Sequence, residues 1–296
     1  MKIETNKSAF VAIVGRPSSG KSTLLNRVCG HKVSIVSPIP QTTRNKIRGI
    51  YNCPEGQLVF LDTPGFHVSQ KKLNTFLRAL TYSALGDADL ALYVADVSRR
   101  PGEEEMSLLS ILAKYQNPTI IALNKTDQPH LFVEEFRREI ATRFSVEPIT
   151  CLVSGLEGDG IPELLDTLIE RAPQGELLYP EEFYTDQTPE FRVSEVVREK
   201  AIQETSQEVP HAIYVEIADM EMRDTATLWV RGFVCVERES QKGILVGKGG
   251  RKIQQIRLAA ERELDTLFPY AVRLDLRVKV RPKWRKKDIL LRRITG

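Results

Sequence analysis

The first half of the chain alternates apolar, β-rich runs with segments whose apolar residues recur at helical spacing. Residues 101–115 and 131–144 place apolar positions three and four residues apart, as amphipathic helices do. Near-continuous apolar runs, typical of strands covered on both faces, occupy 9–14, 57–62, 89–96, 119–125 and 148–154. This alternation predicts an α/β domain with a doubly wound, mostly parallel sheet and helices on both faces.

The pattern changes after residues 170–191, which are rich in proline, glycine and acidic side chains. We therefore predict a first domain over 1–172, a linker over 173–190 and a second domain over 191–296. The second domain is predicted to be α+β: a helix near 190–204, strands over 212–220 and 226–237, a short apolar helix, a glycine turn, a longer helix and a final strand. In that strand, apolar residues from Val272 to Val280 alternate with mostly basic ones, so one face is buried and the other is wet.

Composition bounds the class of protein. The chain has 296 residues, enough for two domains, with 42% hydrophobic and 27% charged residues, and no apolar run approaches the length of a membrane span. The first ten residues lack a secretion-signal pattern, so we expect a cytoplasmic location. The four cysteines and four histidines are scattered, which predicts reduced thiols and neither a disulfide framework nor a zinc site.

Positive charge is concentrated near the end of the sequence. From Arg273 to Arg293 there are ten lysines or arginines against only Asp275 and Asp288. Such an imbalance favours a polyanionic partner, either nucleic acid or an anionic membrane surface, over a solvated basic tail.

The sequence GRPSSGKS, residues 15–22, follows the first apolar run and opens a helical segment, which is the context of a phosphate-binding P-loop. Backbone N–H groups of such a loop bind phosphate oxygens, while Lys21 reaches the β and γ phosphates and the Ser22 hydroxyl binds magnesium. The predicted phosphate contacts are Gly15, Arg16, Pro17, Ser18, Ser19, Gly20, Lys21, Ser22 and Thr23.

A second motif, NKTD at residues 124–127, ends a later apolar run and indicates which base is bound. A carboxylate at Asp127 can accept hydrogen bonds from N1–H and the amine of guanine, whereas adenine offers an acceptor at N1. Backbone N–H groups in VSG, residues 153–155, are candidates for the guanine oxygen. The predicted base contacts are Asn124, Lys125, Thr126, Asp127, Val153, Ser154 and Gly155.

Between these motifs, DTPGF at residues 62–66 resembles the segment that holds magnesium and senses the terminal phosphate in nucleotide hydrolases. We expect nucleotide contacts from Asp62, Thr63, Pro64, Gly65 and Phe66. This is the second switch segment; the first should lie between the P-loop helix and the next strand, where PQTTRNK offers Thr42 and Thr43 as candidate magnesium ligands. The predicted catalytic set is Lys21, Thr42, Thr43, Asp62 and Gly65, and the predicted magnesium ligands are Ser22, Thr42, Thr43 and Asp62.

The motifs GRPSSGKSTLLN, QTTR, DTPGFH, NKTD, VREKA, VERESQKGILVGKGGRKI and VKVRPKW, in this order, resemble those of the Era family of bacterial ribosome-assembly GTPases along nearly the whole chain. The resemblance implies a Ras-like GTPase domain that uses GTP, GDP and Mg²⁺. It also implies a type II KH domain that binds the 3′ end of 16S rRNA and acts in assembly of the small (30S) ribosomal subunit. In the related GTPases a hydrophobic residue replaces the catalytic Gln, so Phe66 implies slow intrinsic hydrolysis.

The chain departs from the family pattern at two places. Family members commonly carry Asn-Val where this chain has Ser18 and Ser19, and that Asn is linked in related GTPases to a potassium ion beside the phosphates. Ser18 therefore puts potassium stimulation in question. The usual Ser-Ala after the last strand of the first domain is Ser154-Gly155, a change that a backbone contact should survive.

The glycine turn GKGG, residues 247–250, lies between two predicted helices, where its backbone can approach four nucleotides. A plain helix-helix turn is the alternative, but the α-β-β-α-α-β order and the basic terminal segment favour RNA. Trp284 can either stack on a base or pack in the core, and we favour the RNA surface. The predicted RNA contacts are Gly247, Lys248, Gly249, Gly250, Arg251, Lys252, Lys283, Trp284 and Arg285.

Three hypotheses therefore follow. The leading one is a monomeric GTP-hydrolysing switch whose RNA binding differs between GTP and GDP. The second is a constitutive RNA-binding protein with a structural nucleotide, which Lys21, Ser22 and Asp62 disfavour. The third is peripheral, salt-sensitive attachment to the cytoplasmic membrane face through the basic C-terminal segment.

Overall fold

The computed structural model describes residues 6–37, 45, 47–66, 72–207 and 209–286. The residues group by their contacts into two compact units, and the boundary between the units falls after Asp186, inside the predicted linker. The described residues 35–37 group with the second unit although they lie early in the chain. Among the helices in these ranges, none combines the length and the apolar character that crossing a bilayer requires.

The first unit is built on a six-stranded sheet. The strands are β1 Lys7–Val14, β2 Ile47–Cys53, β3 Gly56–Asp62, β4 Leu90–Asp96, β5 Thr119–Asn124 and β6 Ile149–Val153, and their order across the sheet is β2-β3-β1-β4-β5-β6. Only β2 is antiparallel to its neighbour. Every residue of β3 and β4 is buried, which explains their near-continuous apolar sequences. The predicted doubly wound, mostly parallel sheet is confirmed.

In the described residues, five helices accompany the sheet: α1 Lys21–Cys29, α2 Lys72–Asp87, α3 Glu103–Leu112, α4 Val133–Arg143 and α5 Ile161–Arg171. Gly30 follows the last residue of α1 and caps the helix. Its φ is 64°, a conformation that glycine adopts without strain. Helix α3 begins with the Glu105 carboxylate accepting the Gly102 N–H at 3.0 Å. Because β1 lies between β3 and β4, the strand order reverses at the carboxyl end of β1, where such sheets bind ligands.

Residues 173–186, here named the strap, lie within the predicted linker and are hydrogen-bonded to the sheet of the first unit. The Ile50 N–H of β2 donates to the Tyr184 carbonyl at 2.9 Å. The buried Gln57 side chain accepts the Tyr179 N–H and donates to the Tyr179 carbonyl, both at 2.9 Å. The strap is thus a fixed part of the first unit.

The second unit contains α6 Pro189–Gln203, α7 Val209–Ala212, β7 Tyr214–Asp224, β8 Thr227–Val236, α8 Glu239–Val246, α9 Arg251–Leu267 and β9 Ala271–Val280. Its sheet has the order β7-β8-β9, with β7 antiparallel and β9 parallel to β8. Apolar residues of α6, β8, α9 and β9 form one core, to which Val197, Val234 and Ala260 belong. Apart from the short helix α7, this is the predicted α-β-β-α-α-β order.

Candidate functional site

The P-loop connects β1 to α1, and two of its glycines are held against neighbouring groups. A Cβ on Gly15 would lie 2.4 Å from the Val94 carbonyl oxygen of β4. Gly20 has a φ of 96°, and a Cβ there would lie 2.3 Å from Nδ2 of Asn124. Only glycine fits either position, and the loop backbone is therefore packed closely against the ends of β4 and β5.

Lys21 is buried inside this loop. Its Nζ donates to the carbonyl oxygens of Gly15 at 3.0 Å and Arg16 at 2.8 Å. Burial lowers the pKa of Lys21 to about 8, although the Asp62 carboxylate opposes that change. An anionic phosphate in the loop would stabilise the charged ammonium and raise this pKa again.

Asp62, at the end of β3, has features that fit a divalent metal ion. Its Oδ2 accepts the Ser22 hydroxyl at 2.9 Å and the Ser34 hydroxyl at 3.0 Å, whereas its Oδ1 is buried without a hydrogen-bond partner among the described residues. Burial raises the pKa of this carboxyl. Oxygen ligands of this kind suit Mg²⁺, which is usually completed by phosphates and water. The described part of the chain holds no cluster of three or more His, Cys, Asp or Glu side chains for a metal. The predicted ligands Thr42 and Thr43 lie outside the described residues.

The segment after Asp62 lies against the P-loop. The Thr63 hydroxyl donates to the Ile13 carbonyl at 2.8 Å, and the Phe66 N–H donates to the Gly15 carbonyl at 2.9 Å. A Cβ on Gly65 would lie 2.6 Å from backbone atoms of Pro17. The Phe66 side chain is buried in the hydrophobic core of the first unit. That aromatic ring is therefore packed against apolar side chains and has no group to orient a water molecule.

Asn124 connects the P-loop to the loop after β6. Its Nδ2 donates to the Ser19 carbonyl, and its Oδ1 accepts the Gly155 N–H, both at 2.9 Å. The Asp127 carboxylate accepts the Ser154 hydroxyl at 2.6 Å, and this hydrogen bond lowers the pKa of Asp127. The structure thus brings all the predicted base-binding segments together, with Asp127 favoured in its ionised form.

Two of the backbone N–H groups predicted for the guanine oxygen make hydrogen bonds in this structure. The Ser154 N–H donates to the Asp159 carbonyl at 2.9 Å, and the Gly155 N–H donates to Oδ1 of Asn124. Both bonds close the turn after β6, and contact with the guanine oxygen stays a prediction.

An ion-pair network lies beside the P-loop, and the sequence motifs did not predict it. Arg16 pairs with Glu105 at 2.8 Å and with Asp96 at 3.4 Å, and Lys125 pairs with Asp96 at 2.8 Å. Burial alone would raise the pKa of Asp96, but hydrogen bonds from Lys125 and Ser98 outweigh it and lower that pKa. The sequence did carry one indication of this network: Asp96 ends β4, whose other residues are all apolar.

In the second unit, the glycine turn lies between α8 and α9. Gly247, Gly249 and Gly250 have φ angles of 70°, 60° and 78°, which favour glycine. Lys248, Gly249 and Arg251 are exposed, so the turn presents bare backbone beside two cations. This is the geometry that a phosphate backbone can approach closely.

The structure corrects the role favoured for Trp284. The side chain is fully buried, its Nε1 donates to the Ala212 carbonyl at 2.8 Å, and its ring lies 4.9 Å from that of Tyr214. Trp284 is a core residue, because the chain after β9 folds back over the start of β7. Of the two adjacent residues that were also predicted to contact RNA, Lys283 is exposed, whereas Arg285 forms an ion pair with Glu237.

The basic character of the terminal segment is also reduced in the structure. Arg273, Arg277 and Arg281 each form an ion pair, with Asp265 at 3.1 Å, Asp275 at 3.4 Å and Glu216 at 3.3 Å. Two of these acids lie outside the basic segment of the sequence. Residues 273–281 are therefore closer to neutral, with these partners, than their own sequence suggests.

A P-loop, an Asp-x-x-Gly segment and an Asn-Lys-x-Asp segment that meet at the ends of parallel strands define a guanine-nucleotide-binding P-loop protein. The second unit has the element order and the glycine turn of a KH domain. Family models agree: the one described as 50S ribosome-binding GTPase matches residues 10–125, and that of the KH domain matches residues 208–285.

Full-length relatives specify the family. The chain is 48% identical to the GTPase Era of Treponema denticola and 41% identical to that of Borreliella burgdorferi, in each case over 97% of this chain and 99% of the relative. Among solved structures, a point variant of Aquifex aeolicus Era bound to GDP and AlF4⁻ has a TM-score of 0.90 at 33% identity, covering 97% of this chain and 98% of that one. Era in complex with MgGDPNP and nucleotides 1506–1542 of 16S ribosomal RNA has a TM-score of 0.91 at 34% identity, covering 98% of both chains. The chain belongs to the Era family of GTPases.

Proposed function

We propose that this GTPase binds the 3′ end of 16S rRNA through its KH unit and acts in assembly of the small ribosomal subunit. The observation that carries the proposal is the exposed glycine turn at residues 247–250, with Lys248 and Arg251 beside it. The relative bound to nucleotides 1506–1542 of 16S rRNA supports the same partner. Assembly of ribosomal subunits would take place in the cytoplasm.

The nucleotide site would bind GTP and GDP with Mg²⁺. Ser22 and either Thr42 or Thr43 would be ligands of the metal, and Asp62 would accept from its bound water. When bound, magnesium would neutralise charge on the phosphates. Lys21 would add a second positive charge there, and Asp127 would select guanine.

Hydrolysis without a partner should be slow. The support is that Phe66 follows Gly65, at the position where some nucleotide hydrolases have a catalytic Gln. Its ring is packed in the core and has no polar group to orient water. Positioning of that water would fall to the backbone or to the metal. A single-turnover assay with radiolabelled GTP tests this: a rate constant as high as that of GTPases assisted by an activating protein would contradict the role assigned to Phe66.

The GTP state should bind RNA differently from the GDP state. The terminal phosphate would order the segments around Gly65 and around Thr42 and Thr43. The affinity for RNA would differ between the ordered and the unordered conformation of these segments. By reciprocity, RNA would shift the affinity for GTP relative to GDP by the same factor. Equal RNA affinity with GTP and with GDP would reduce the protein to a constitutive RNA-binding module.

The experiment is cross-linking and sequencing of RNA bound to the protein with GTP and with GDP. The variant Lys248→Asp/Gly249→Asp puts two carboxylates into the glycine turn, and Lys248→Glu makes a milder change without backbone strain. Arg262→Asp is a matched charge reversal on an exposed position of α9. We expect reads at the 3′ end of 16S rRNA that both turn variants lose and Arg262→Asp keeps. Diffuse reads, or reads unaffected by the turn variants, would leave only the GTPase assignment.

We expect a monomer, to be checked by light scattering. Peripheral membrane binding remains the weaker alternative, because Arg273, Arg277 and Arg281 are engaged in ion pairs with Asp265, Asp275 and Glu216. Co-sedimentation with anionic vesicles at low salt would revive it.

A further inference from the structure

Asn26, on α1, holds the chain that follows this helix. Its Oδ1 accepts the N–H groups of Val33 and Ser34, both at 2.8 Å, and its Nδ2 donates to the Ser34 carbonyl at 2.7 Å. One side chain thus satisfies three backbone groups of two consecutive residues. Ser34 is consequently fixed to the helix that begins at the P-loop.

The Ser34 side chain uses this fixed position to contact Asp62. Ser34 is only 1% exposed, and its hydroxyl donates to Oδ2 of Asp62 at 3.0 Å. The Ser22 hydroxyl donates to the same oxygen at 2.9 Å. With both hydroxyls on Oδ2, the other oxygen, Oδ1, is buried and has no hydrogen-bond partner among the described residues.

We propose that Ser34 is a positioning residue of the magnesium site. Its hydrogen bond restrains the rotation of the Asp62 carboxylate, so that Oδ1 is kept for the metal hydration shell when nucleotide and Mg²⁺ bind. If the Ser22 hydroxyl oxygen binds the metal, the Ser34 hydroxyl would still donate a hydrogen bond to Oδ2 of Asp62. Ser34 lies outside the nucleotide-binding motifs, between the P-loop helix and the Thr42–Thr43 segment. The inference rests on the nucleotide site and is independent of RNA binding.

The test measures how Mg²⁺ slows release of N-methylanthraniloyl-GDP from the full chain. Release is followed by fluorescence in EDTA and then at increasing Mg²⁺, for the wild type, Ser34→Ala and Ser34→Thr. Ser8→Ala is the matched control, since Ser8 is also a buried serine of the first unit but lies on β1 beside the strap. Binding of Mn²⁺ to the GDP complex, measured by electron paramagnetic resonance, gives a second readout that does not depend on release.

Ser34→Ala should raise the Mg²⁺ concentration for half-maximal slowing about fivefold to tenfold, because a hydrogen bond to a carboxylate is lost. It should weaken Mn²⁺ binding by a similar factor while leaving the release rate in EDTA within about twofold of the wild type. Ser34→Thr, which keeps the hydroxyl, and Ser8→Ala should both follow the wild type. An unchanged Mg²⁺ midpoint in Ser34→Ala, or an equal acceleration in EDTA, overturns the proposal. Absence of any Mg²⁺ effect in the wild type would instead refute the magnesium site itself.

Discussion

Replacing Trp284 by alanine gives a direct test of its assignment to the core. The side chain is 0% exposed, packs against Tyr214 and donates one hydrogen bond to the Ala212 carbonyl. Loss of a buried aromatic ring of this size costs about 3 to 5 kcal/mol of unfolding free energy. The Ala212 carbonyl would in addition lose the hydrogen bond that it accepts from Trp284. Phenylalanine at this position keeps most of the ring and should cost only about 1 to 2 kcal/mol.

The chain has a matched control in Trp229, its other tryptophan. That ring is partly exposed and is covered by the guanidinium groups of Arg223 at 4.5 Å and Arg231 at 4.9 Å. Truncation of Trp229 should cost no more than about 1 to 2 kcal/mol, since cation–π contacts at exposed sites contribute little.

Differential scanning calorimetry with and without GDP separates the two units, because GDP shifts only the transition of the unit that binds it. A loss of about 4 kcal/mol should lower the GDP-insensitive transition of Trp284→Ala by about 15 to 30 °C for a domain of this size. If Trp284→Ala unfolds like the wild type and instead loses RNA binding, the core assignment is wrong and the ring acts at the RNA surface.

Three further outcomes are expected. Gly65→Ala should weaken GTP binding about tenfold or more in fluorescence titrations while largely sparing GDP. A Cβ there would lie 2.6 Å from Pro17 backbone atoms and would displace the Gly65 backbone, which is predicted to contact the terminal phosphate that GDP lacks; equal losses for both nucleotides would contradict this. Apparent GDP affinity should fall about fourfold from pH 7 to pH 8.5, because the free Lys21, with a pKa of about 8, must then take up a proton to meet the phosphates; a flat profile would refute it. GTP hydrolysis should be similar in KCl and NaCl, and Ser18→Asn should introduce a preference for KCl; a wild-type preference as large as that of the variant would show that Ser18 suffices.

The hydrophobic pattern of the sequence predicted the strands whose residues are all buried. Strands β3 and β4 are buried on both faces, so their sequences alone identify them, and parallel strands necessarily bring the P-loop, Asp62 and Asn124 to one edge. Among the described strands, β2 pairs only with β3, and it has a partly exposed face, so its mixed sequence did not reveal it. The amphipathic helix α5 was also missed, although its buried apolar stripe follows helical spacing.

Features that depend on distant parts of the chain were beyond sequence pattern. Trp284 is buried because the segment after β9 returns to Ala212, which lies far away in the sequence. Arg273 of β9 pairs with Asp265 of α9, and Arg281, just after β9, pairs with Glu216 of β7. A residue type and its immediate neighbours carry no information about such partners, so the exposure of Trp284 was misjudged and these ion pairs were not predicted.

The strap determines where a free-standing GTPase fragment should end. A chain cut after residue 172 would strip the buried Gln57 carboxamide of the backbone groups it binds at Tyr179, and would take away the Asp186 carboxylate that pairs with Arg48. Buried polar groups without partners cost about 1 to 3 kcal/mol each, and the bared edge of β2 would offer its N–H groups to other molecules. A fragment ending after Asp186 keeps these partners, and should remain monodisperse at concentrations where the shorter one aggregates.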